Sequence, residues 1–482
     1  MCALMINMAG VDMRSNEVIA QSAISFGTSG VRGEVSQFTP DVIGAFTLAF
    51  VAIQKHVKRV ALAIDNRPSS PQIAKVCIST LKLHGYEVEY YGVIPTPALA
   101  YAAQLQGIPA IMITGSHIPF DRNGIKFYLA TGEVSKADER AIINAQVNVP
   151  TIPSLDLPKV SDYAKQQYIK RYVDYFPANL LAGKHIGIYQ HTSAGRDIYP
   201  LILNALGAQV TLLGRSEQFV PIDTEAVAHA DRLQARLWVT SHKLDALFST
   251  DGDGDRALLA DEQGEYLAGD ILSLLAAKYL KIEALATPVS CNSSIEASGA
   301  FKQVQRTKIG SPYVIAGMAA LQHGHHRVAG FEANGGFLLG SDVYNNKKVL
   351  KQLPTRDAML PALCALACVS QKKLSQVVAD VTHRHTHSDR LKNFAQHRSA
   401  GVIELAATHP ELLLKRLHVA YQGELKVDTT DGVRITLVDK GHIIHIRPSG
   451  NAPELRCYSE ASNKAVAQKL VAGVLSGIET LF

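Results

Sequence analysis

Apolar runs of strand length alternate with amphipathic runs of helix length along most of this chain, and that alternation restricts it to an α/β architecture. Arg59-Val-Ala-Leu-Ala-Ile64 reads as a buried strand ended by Asp65, Ser70 to His84 has helical spacing and stops at Gly85, and Val88 to Tyr91 resumes as a strand. The unit recurs: Leu83-His-Gly85-Tyr-Glu-Val88 closes a helix and opens a strand, and so does Ala205-Leu-Gly207-Ala-Gln-Val210, each glycine suiting a left-handed helix stop. A third candidate unit begins at Pro288-Val-Ser-Cys-Asn-Ser-Ser294, read as a strand leading into a helix. The Pro-rich stretch Val149 to Pro158 marks the first boundary. Near the C-terminus, Val433 to Val438 and His442 to Ile446 flank Asp439-Lys440-Gly441 in a hairpin pattern, followed by a helix from Asn463. The expected fold is therefore α/β: three related α/β domains with mixed, mostly parallel sheets (1–158, 159–261, 262–385) and a smaller α+β domain (386–482).

Length and composition agree with several domains. A chain of 482 residues is too long for one ordinary core, and 47% hydrophobic with 19% charged residues describes a globular protein. The net charge of +5 is small for this length and no block of Lys or Arg stands out, which argues against a nucleic-acid surface. The six cysteines are scattered without a CxxC pair, as expected of free thiols in a reducing compartment. The opening residues lack a basic segment followed by a long apolar one, and the longest apolar run, Val42 to Ile53, is interrupted by Gly44 and Thr47 and is too short to span a bilayer. A soluble, cytoplasmic protein without membrane partners is expected.

Four segments carry chemistry. Thr114-Gly115-Ser116-His117 follows the apolar run Ile111 to Ile113, which puts a hydroxyl and an imidazole just past a strand end, where open α/β sheets bind ligands. Lys126 follows shortly, so His117 or Lys126 is a candidate proton carrier. Asp251-Gly-Asp253-Gly-Asp255-Arg256 follows another apolar strand. Its glycines permit tight turns, so three carboxylates can converge on one hard cation such as Mg²⁺. The loop departs from the EF-hand pattern, because Arg256 and not Gly follows Asp255. Arg447-Pro-Ser449-Gly450-Asn451, with Arg456 beyond it, can cradle a phosphate through backbone N–H groups and guanidinium forks, although by itself a plain surface turn reads equally well. Glu332 and Asn334, in Gly330-Phe-Glu-Ala-Asn-Gly-Gly336, can hydrogen-bond sugar hydroxyls, although that segment alone reads as a hairpin turn. The clusters His383/His385/His387 and His323/His325/His326 read better as solvated loops than as transition-metal sites.

In this order, the segments resemble the signatures of the α-D-phosphohexomutase family over nearly the whole chain. Phe26-Gly-Thr-Ser-Gly-Val-Arg32-Gly33 resembles its N-terminal signature, Thr114 to His117 its phosphoserine loop, Asp251 to Arg256 its metal loop, Glu332 its sugar loop and Arg447 to Gly450 its phosphate loop. There are departures. The serine loop has Gly115 and Ile118 where TASHNP is usual, the sugar loop has Asn334 where serine is usual, Ser311 follows Gly310 after Lys308 where His or Asp is common, and Asn451-Ala452-Pro453 stands where Thr-Glu-Pro is common. The catalytic apparatus matches and the specificity loops are unusual.

The resemblance implies domains arranged around a central cleft. It also implies that phosphorylated Ser116 exchanges its phosphoryl group with a hexose monophosphate through a bound hexose 1,6-bisphosphate. Asp251, Asp253, Asp255 and a phosphoserine oxygen would hold Mg²⁺. Arg32 and Arg256 would support the transferring phosphate, Lys308, Glu332 and Asn334 would face the sugar, and Arg447, Ser449, Gly450, Asn451 and Arg456 would hold the other phosphate. Mannose phosphate is the expected substrate, ahead of glucose phosphate and then glucosamine phosphate, in a monomer or dimer. A metal-dependent sugar phosphatase would not need the remote phosphate cradle, and a sugar-phosphate sensor without catalysis would have lost Ser116 or an aspartate.

Overall fold

The computed structural model describes residues 13–27, 29–153, 155–369, 372–449 and 453–482. Three of its sheets share one strand order. In the first, Arg59–Ile64 lies parallel to both Glu87–Val93 and Ala110–Ile113, and Ala110–Ile113 pairs antiparallel with Arg122–Leu129. In the second, His185–His191, Gln209–Arg215, Ala246–Thr250 and Ala257–Ala260 take the same four places. In the third, Ala284–Pro288, Gln303–Thr307, Val328–Phe331 and Phe337–Leu339 do so again, with Leu353–Asp357 added at the edge. In each sheet the third strand turns directly into its antiparallel neighbour. The connecting loops are residues 114–121, 251–256 and 332–336.

Local sequence explains the units. Helix Ser70–Leu83 ends where Gly85 takes φ +78°, and helix Tyr199–Ala205 ends before Gly207 at φ +93°, so the chain reverses into the next strand without a Cβ clash. The third unit differs from the sequence expectation in detail. Its strand, Ala284–Pro288, ends where the proposed run begins, and its helix is a single turn, Ser294–Ala297. The apolar run near residue 45 forms helix Pro40–Ala52, which is apolar and buried on nearly all sides and is capped by the Thr39 side chain accepting from the Val42 N–H. No helix of the described residues is long and apolar enough to cross a membrane.

The fourth sheet is wholly antiparallel, in the order His385–Leu391, Leu455–Ala461, His442–Pro448, Val433–Leu437, Leu425–Asp428. Helix Lys464–Leu481, capped by the Asn463 side chain on the Val466 N–H, covers it with Val471, Val474 and Ile478.

Packing fixes the first three units to one another. One buried cluster joins Ala63 and Met112 of the first sheet, Tyr168 and Tyr172 of helix Tyr163–Tyr175, Ile186 and Phe248 of the second sheet, and Leu285 and Phe331 of the third. The fourth sheet keeps its own core of Leu413, Ile435, Ile446, Cys457 and Ile478. Ile478→Ala should therefore destabilise that last unit by about 2–5 kcal/mol, the usual cost of truncating a fully buried aliphatic side chain. The measurement is a lower urea midpoint for loss of the C-terminal core, followed by hydrogen exchange in the strands Val433–Leu437 and His442–Pro448, with little change in the first sheet.

Candidate active site

Because the three loops leave corresponding strand ends, the shared core brings them to one place. Ser116 is 1% exposed and adopts φ +55°, a left-handed conformation that is uncommon for a residue with a Cβ. Its Oγ donates to Asp251 Oδ2 at 2.6 Å, across two sheets. Its N–H donates to Thr114 Oγ1 (2.8 Å), and Thr114 Oγ1 donates in turn to Asp65 Oδ2 (2.7 Å).

Arg67, 1% exposed, holds this loop. Its guanidinium donates to the carbonyls of Ser116 (2.9 Å), Ile118 (2.5 Å), Pro119 (2.6 Å) and Arg122 (2.9 Å), and it lies over the Phe219 ring at 4.2 Å. Gly115 is a consequence. A Cβ there would lie 2.7 Å from Arg67 Cζ and Nε, and four carbonyl bonds keep that guanidinium from yielding. Sequence reading missed Arg67, which sits in another strand–helix loop with only distance in the fold connecting it to the serine.

The acidic loop closes the hairpin between Ala246–Thr250 and Ala257–Ala260. Asp251 Oδ1 accepts the N–H groups of Asp255 (3.2 Å) and Arg256 (3.3 Å), and Gly254 at φ +69° makes the turn. The first unit grips the loop: Thr96 Oγ1 donates to Asp253 Oδ2 (2.6 Å), and Lys126 Nζ reaches Asp253 Oδ2 (2.5 Å) and Asp255 Oδ2 (2.7 Å). Ligand atoms of Asp251, Asp253 and Asp255 lie within 4.8 Å of one another, and Oδ1 of both Asp253 and Asp255 is buried without a hydrogen-bond partner. Three hard oxygen donors with spare buried lone pairs fit a divalent cation such as Mg²⁺.

The electrostatics separate the two candidate proton carriers. Burial, with Arg256 close by, pushes the His117 imidazole down to about 2, and Arg256 Nη1 donates to His117 Nδ1 at 3.1 Å, so the ring is neutral and that nitrogen an acceptor. Burial works against the Lys126 ammonium too, but Asp253 and Asp255 outweigh it and hold its pKa above the ordinary value. Burial and its two acidic neighbours hold the Asp251 carboxyl well above the carboxylate range. Burial, then Arg256 and Arg356, lowers Arg32 to about 10, and the Arg32 guanidinium forms no hydrogen bond or ion pair among the described residues.

In the third unit Glu332 and Asn334 are buried at 4% and 6% exposure, within the hairpin whose strands pair at Phe331 and Phe337. Lys308 is exposed past the end of strand Gln303–Thr307. Two further groups were not legible in the sequence. Arg356 bridges Asp255 and Glu332, and Thr224 donates to the Asn334 carbonyl at 2.7 Å. Thr224 belongs to a segment that also carries Phe219 over Arg67 and places Glu225 toward Arg456. Burial, with Asp223 beside it, raises that carboxyl to about 7.

Arg447 and Arg456 lie directly opposite each other on adjacent antiparallel strands, and Arg390 lies opposite Arg456 on the far side. Three like charges in a cross-strand row repel. Their partners are peripheral: Arg447 Nε donates to Asp431 Oδ1 (2.9 Å), while Arg390 and Arg456 share Glu454 at 3.6 and 3.8 Å. Such a row suits an oxyanion. Ser449 is buried beside it, and its N–H donates to the Glu454 carbonyl (2.8 Å), whereas Gly450 and Asn451 lie outside the described residues. Asp431 Oδ2 also accepts the Ile309 N–H (2.9 Å), tying this row to the Lys308 loop.

The chain resembles known proteins over most of its length. The chain matches the phosphoglucomutase/phosphomannomutase alpha/beta/alpha domain I over residues 23–150, alpha/beta/alpha domain III over 268–385 and the C-terminal domain over 400–476. A phosphomannomutase of Salmonella muenchen is 51% identical to it, covering 96% of this chain and 97% of its own. A phosphomannomutase of Sinorhizobium fredii is 41% identical, over 93% and 97%. The crystal structure of a phosphoglucomutase/phosphomannomutase family protein from Burkholderia thailandensis superimposes with a TM-score of 0.68 at 18% identity, covering 94% of this chain and 97% of its own.

Arg67→Lys tests the loop clamp. An ammonium has three donors and no planar fork, so at least one carbonyl is left without its charged partner, and hydrogen bonds to charged groups contribute roughly 1.5–3 kcal/mol each. The expected outcome is faster limited proteolysis within 115–122 and a fall in kcat of about tenfold or more, while helix content by circular dichroism stays at the parent value.

Proposed function

We propose that this chain, which belongs to the phosphoglucomutase/phosphomannomutase family, interconverts mannose 6-phosphate and mannose 1-phosphate. It is an enzyme, a hexose-phosphate mutase. The observation that carries the reading is the Ser116 hydroxyl donating to Asp251 inside a buried aspartate triad, with a separate arginine row to hold a second phosphate.

In this reading Ser116 carries the phosphoryl group between turnovers. Arg447 and Arg456, with Arg390, Ser449 and the adjoining Gly450 and Asn451, hold the phosphate already on the hexose. Glu332, Asn334 and Lys308 orient the sugar so that its free hydroxyl meets phosphorylated Ser116. Its P–O bond to Ser116 breaks as the bond to the sugar oxygen forms, which gives a hexose 1,6-bisphosphate. The bisphosphate turns over, and its other phosphate returns to Ser116. Lys126 is the better proton carrier of the two candidates: held charged beside Asp253 and Asp255, it gives a proton to the departing Ser116 oxygen and takes back the one that the attacking sugar hydroxyl releases, whereas His117 is too weak a base to hold a proton near neutral pH. Arg32, whose guanidinium has no hydrogen bond or ion pair among the described residues, and Arg256 are placed to meet the charge on the moving phosphoryl group. Asp251, Asp253 and Asp255 would hold Mg²⁺, which when bound supplies Lewis-acid neutralisation of phosphate charge. The same reading divides the chain at 1–158, 159–261, 262–385 and 386–482, each part bringing one loop to the cleft.

The arginine row favours a mutase over a sugar phosphatase, since hydrolysis needs no grip on the phosphate that stays. A coupled assay of mannose, glucose and glucosamine 1-phosphates with trace bisphosphate should show mannose turned over fastest, glucose more slowly, and negligible release of inorganic phosphate. Ser116→Ala should lower turnover by far more than tenfold. A variant within about tenfold of the parent, roughly 1.4 kcal/mol in the barrier, would remove Ser116 from the mechanism.

A divalent-metal test is independent of the serine. Chelation should stop turnover and Mg²⁺ should restore it, and Asp253→Asn, which removes one formal charge from the ligand set, should need a higher Mg²⁺ concentration for half-maximal rate. Normal activity of that variant at limiting Mg²⁺ would show that the acidic loop is not where the metal acts.

A further inference from the structure

Arg356 is 1% exposed and stands near the end of strand Leu353–Asp357, at the edge of the third sheet. Its Nη2 and Nε donate to Asp255 Oδ2 at 2.9 and 3.2 Å, and its Nη1 donates to Glu332 Oε2 at 3.0 Å. One guanidinium is thus divided between a carboxylate of the aspartate loop and the carboxylate of the sugar loop. The fold is shaped around it. A Cβ on Gly336 would lie 2.5 Å from Arg356 Cδ and 2.7 Å from Cγ, so the hairpin carries glycine where the arginine passes. Next along the strand, Asp357 accepts the hydroxyls of Tyr168 (2.7 Å) and Tyr172 and so fixes the backbone from which Arg356 projects. The second cation on Asp255 Oδ2 is Lys126, at 2.7 Å.

Two buried anions that share one cation cannot be changed independently. A divalent ion entering the triad meets Arg356 as a competing positive charge on Asp255. How strongly Arg356 competes depends on how much of it Glu332 holds. We propose that Arg356 is a positioning residue that sets how tightly the aspartate loop retains its divalent cation according to the charge at Glu332. The inference rests on the aspartate loop being the metal site. Because Glu332 is also the group that faces the sugar, metal retention and sugar binding are linked, and such linkage is reciprocal in equilibrium affinities.

The test is calorimetric titration of the full-length, dephosphorylated protein with Mn²⁺ alone. Asp253→Asn first establishes that the triad is the site. If it binds Mn²⁺ as the parent does, the metal-loop reading itself fails. Given a parent that binds there, Arg356→Gln removes a competing cation and leaves Glu332 unneutralised, so Mn²⁺ should bind tighter, by about tenfold, within the usual range of site-to-site coupling. Glu332→Gln releases Arg356 wholly to Asp255, so Mn²⁺ should bind more weakly by a similar factor. The double variant restores the parent's net charge and should return to within about threefold of its affinity. A purely structural role would loosen the site in both single variants and would not be compensated in the double. Loosening in both, or no change in either, overturns the proposal. Near-UV circular dichroism checks folding. If Arg356→Gln alone fails it, Glu332→Gln and the double variant decide: weaker binding in the first with recovery in the second supports the coupling, and equal affinities in the two reject it.

Discussion

Asp255 accepts Lys126 from the first sheet and Arg356 from the third on the same oxygen, and the rest of the cleft depends on that meeting. Three carboxylates at 0–1% exposure would repel one another and lose their hydration if left alone. Each must be compensated by a hydrogen bond, a cation or a metal. Here the compensation comes from outside the loop that carries them: Thr96 and Lys126 from the unit before, Arg356 from the unit after, and the Ser116 hydroxyl on Asp251. Docking the three units and neutralising the aspartates are therefore one event. Around the triad, Arg32, Lys126, Arg256 and Arg356 supply the positive charge that faces the aspartates and Glu332.

The repeated strand order explains why three sequence-distant loops arrive together. In each sheet the chemistry-bearing loop joins the outer parallel strand to its antiparallel neighbour, at the carboxyl ends of the parallel strands. That is where helix N-termini and free backbone groups make α/β sheets bind ligands. Repetition of the unit supplies three such ends, and the common apolar cluster that runs through Met112, Phe248 and Phe331 aims them at one another. The antiparallel last unit contributes what the others lack, a face with arginines in register on three adjacent strands.

What could be read from the sequence is what is local in it. The two glycine-stopped helix-to-strand turns, the Val433–Leu437/His442–Pro448 hairpin and the Asn463-capped final helix each have their determinants within a few residues, and each stands where the pattern put it. Asp251, Asp253 and Asp255 announce themselves for the same reason: three carboxylates and two glycines in five residues have few other uses. The third unit was placed a few residues late because its helix is only one turn and leaves almost no periodic signal. Arg67, Arg356, Arg390 and the Thr224–Glu225 segment were invisible for a different reason. A lone arginine carries no mark of the four carbonyls or two carboxylates it will meet after folding.

Those hidden arginines account for two glycines. Gly115 departs from the alanine usual in its loop, and Gly336 follows the altered sugar loop. In both cases a methyl group would press on an arginine side chain, Arg67 or Arg356. Neither side chain can give way cheaply, since Arg67 is held by four carbonyl oxygens and Arg356 by two buried carboxylates. The glycine and the arginine are thus one feature in each loop, and substituting either alone breaks it. Arg67 grips the carbonyl of Ser116, which stands in the left-handed conformation, and three carbonyls beyond it, and Arg356 pairs with the Glu332 carboxylate in its buried hairpin. The unusual loops are in this sense internally consistent: each small residue makes room for the cation that its neighbouring functional group requires.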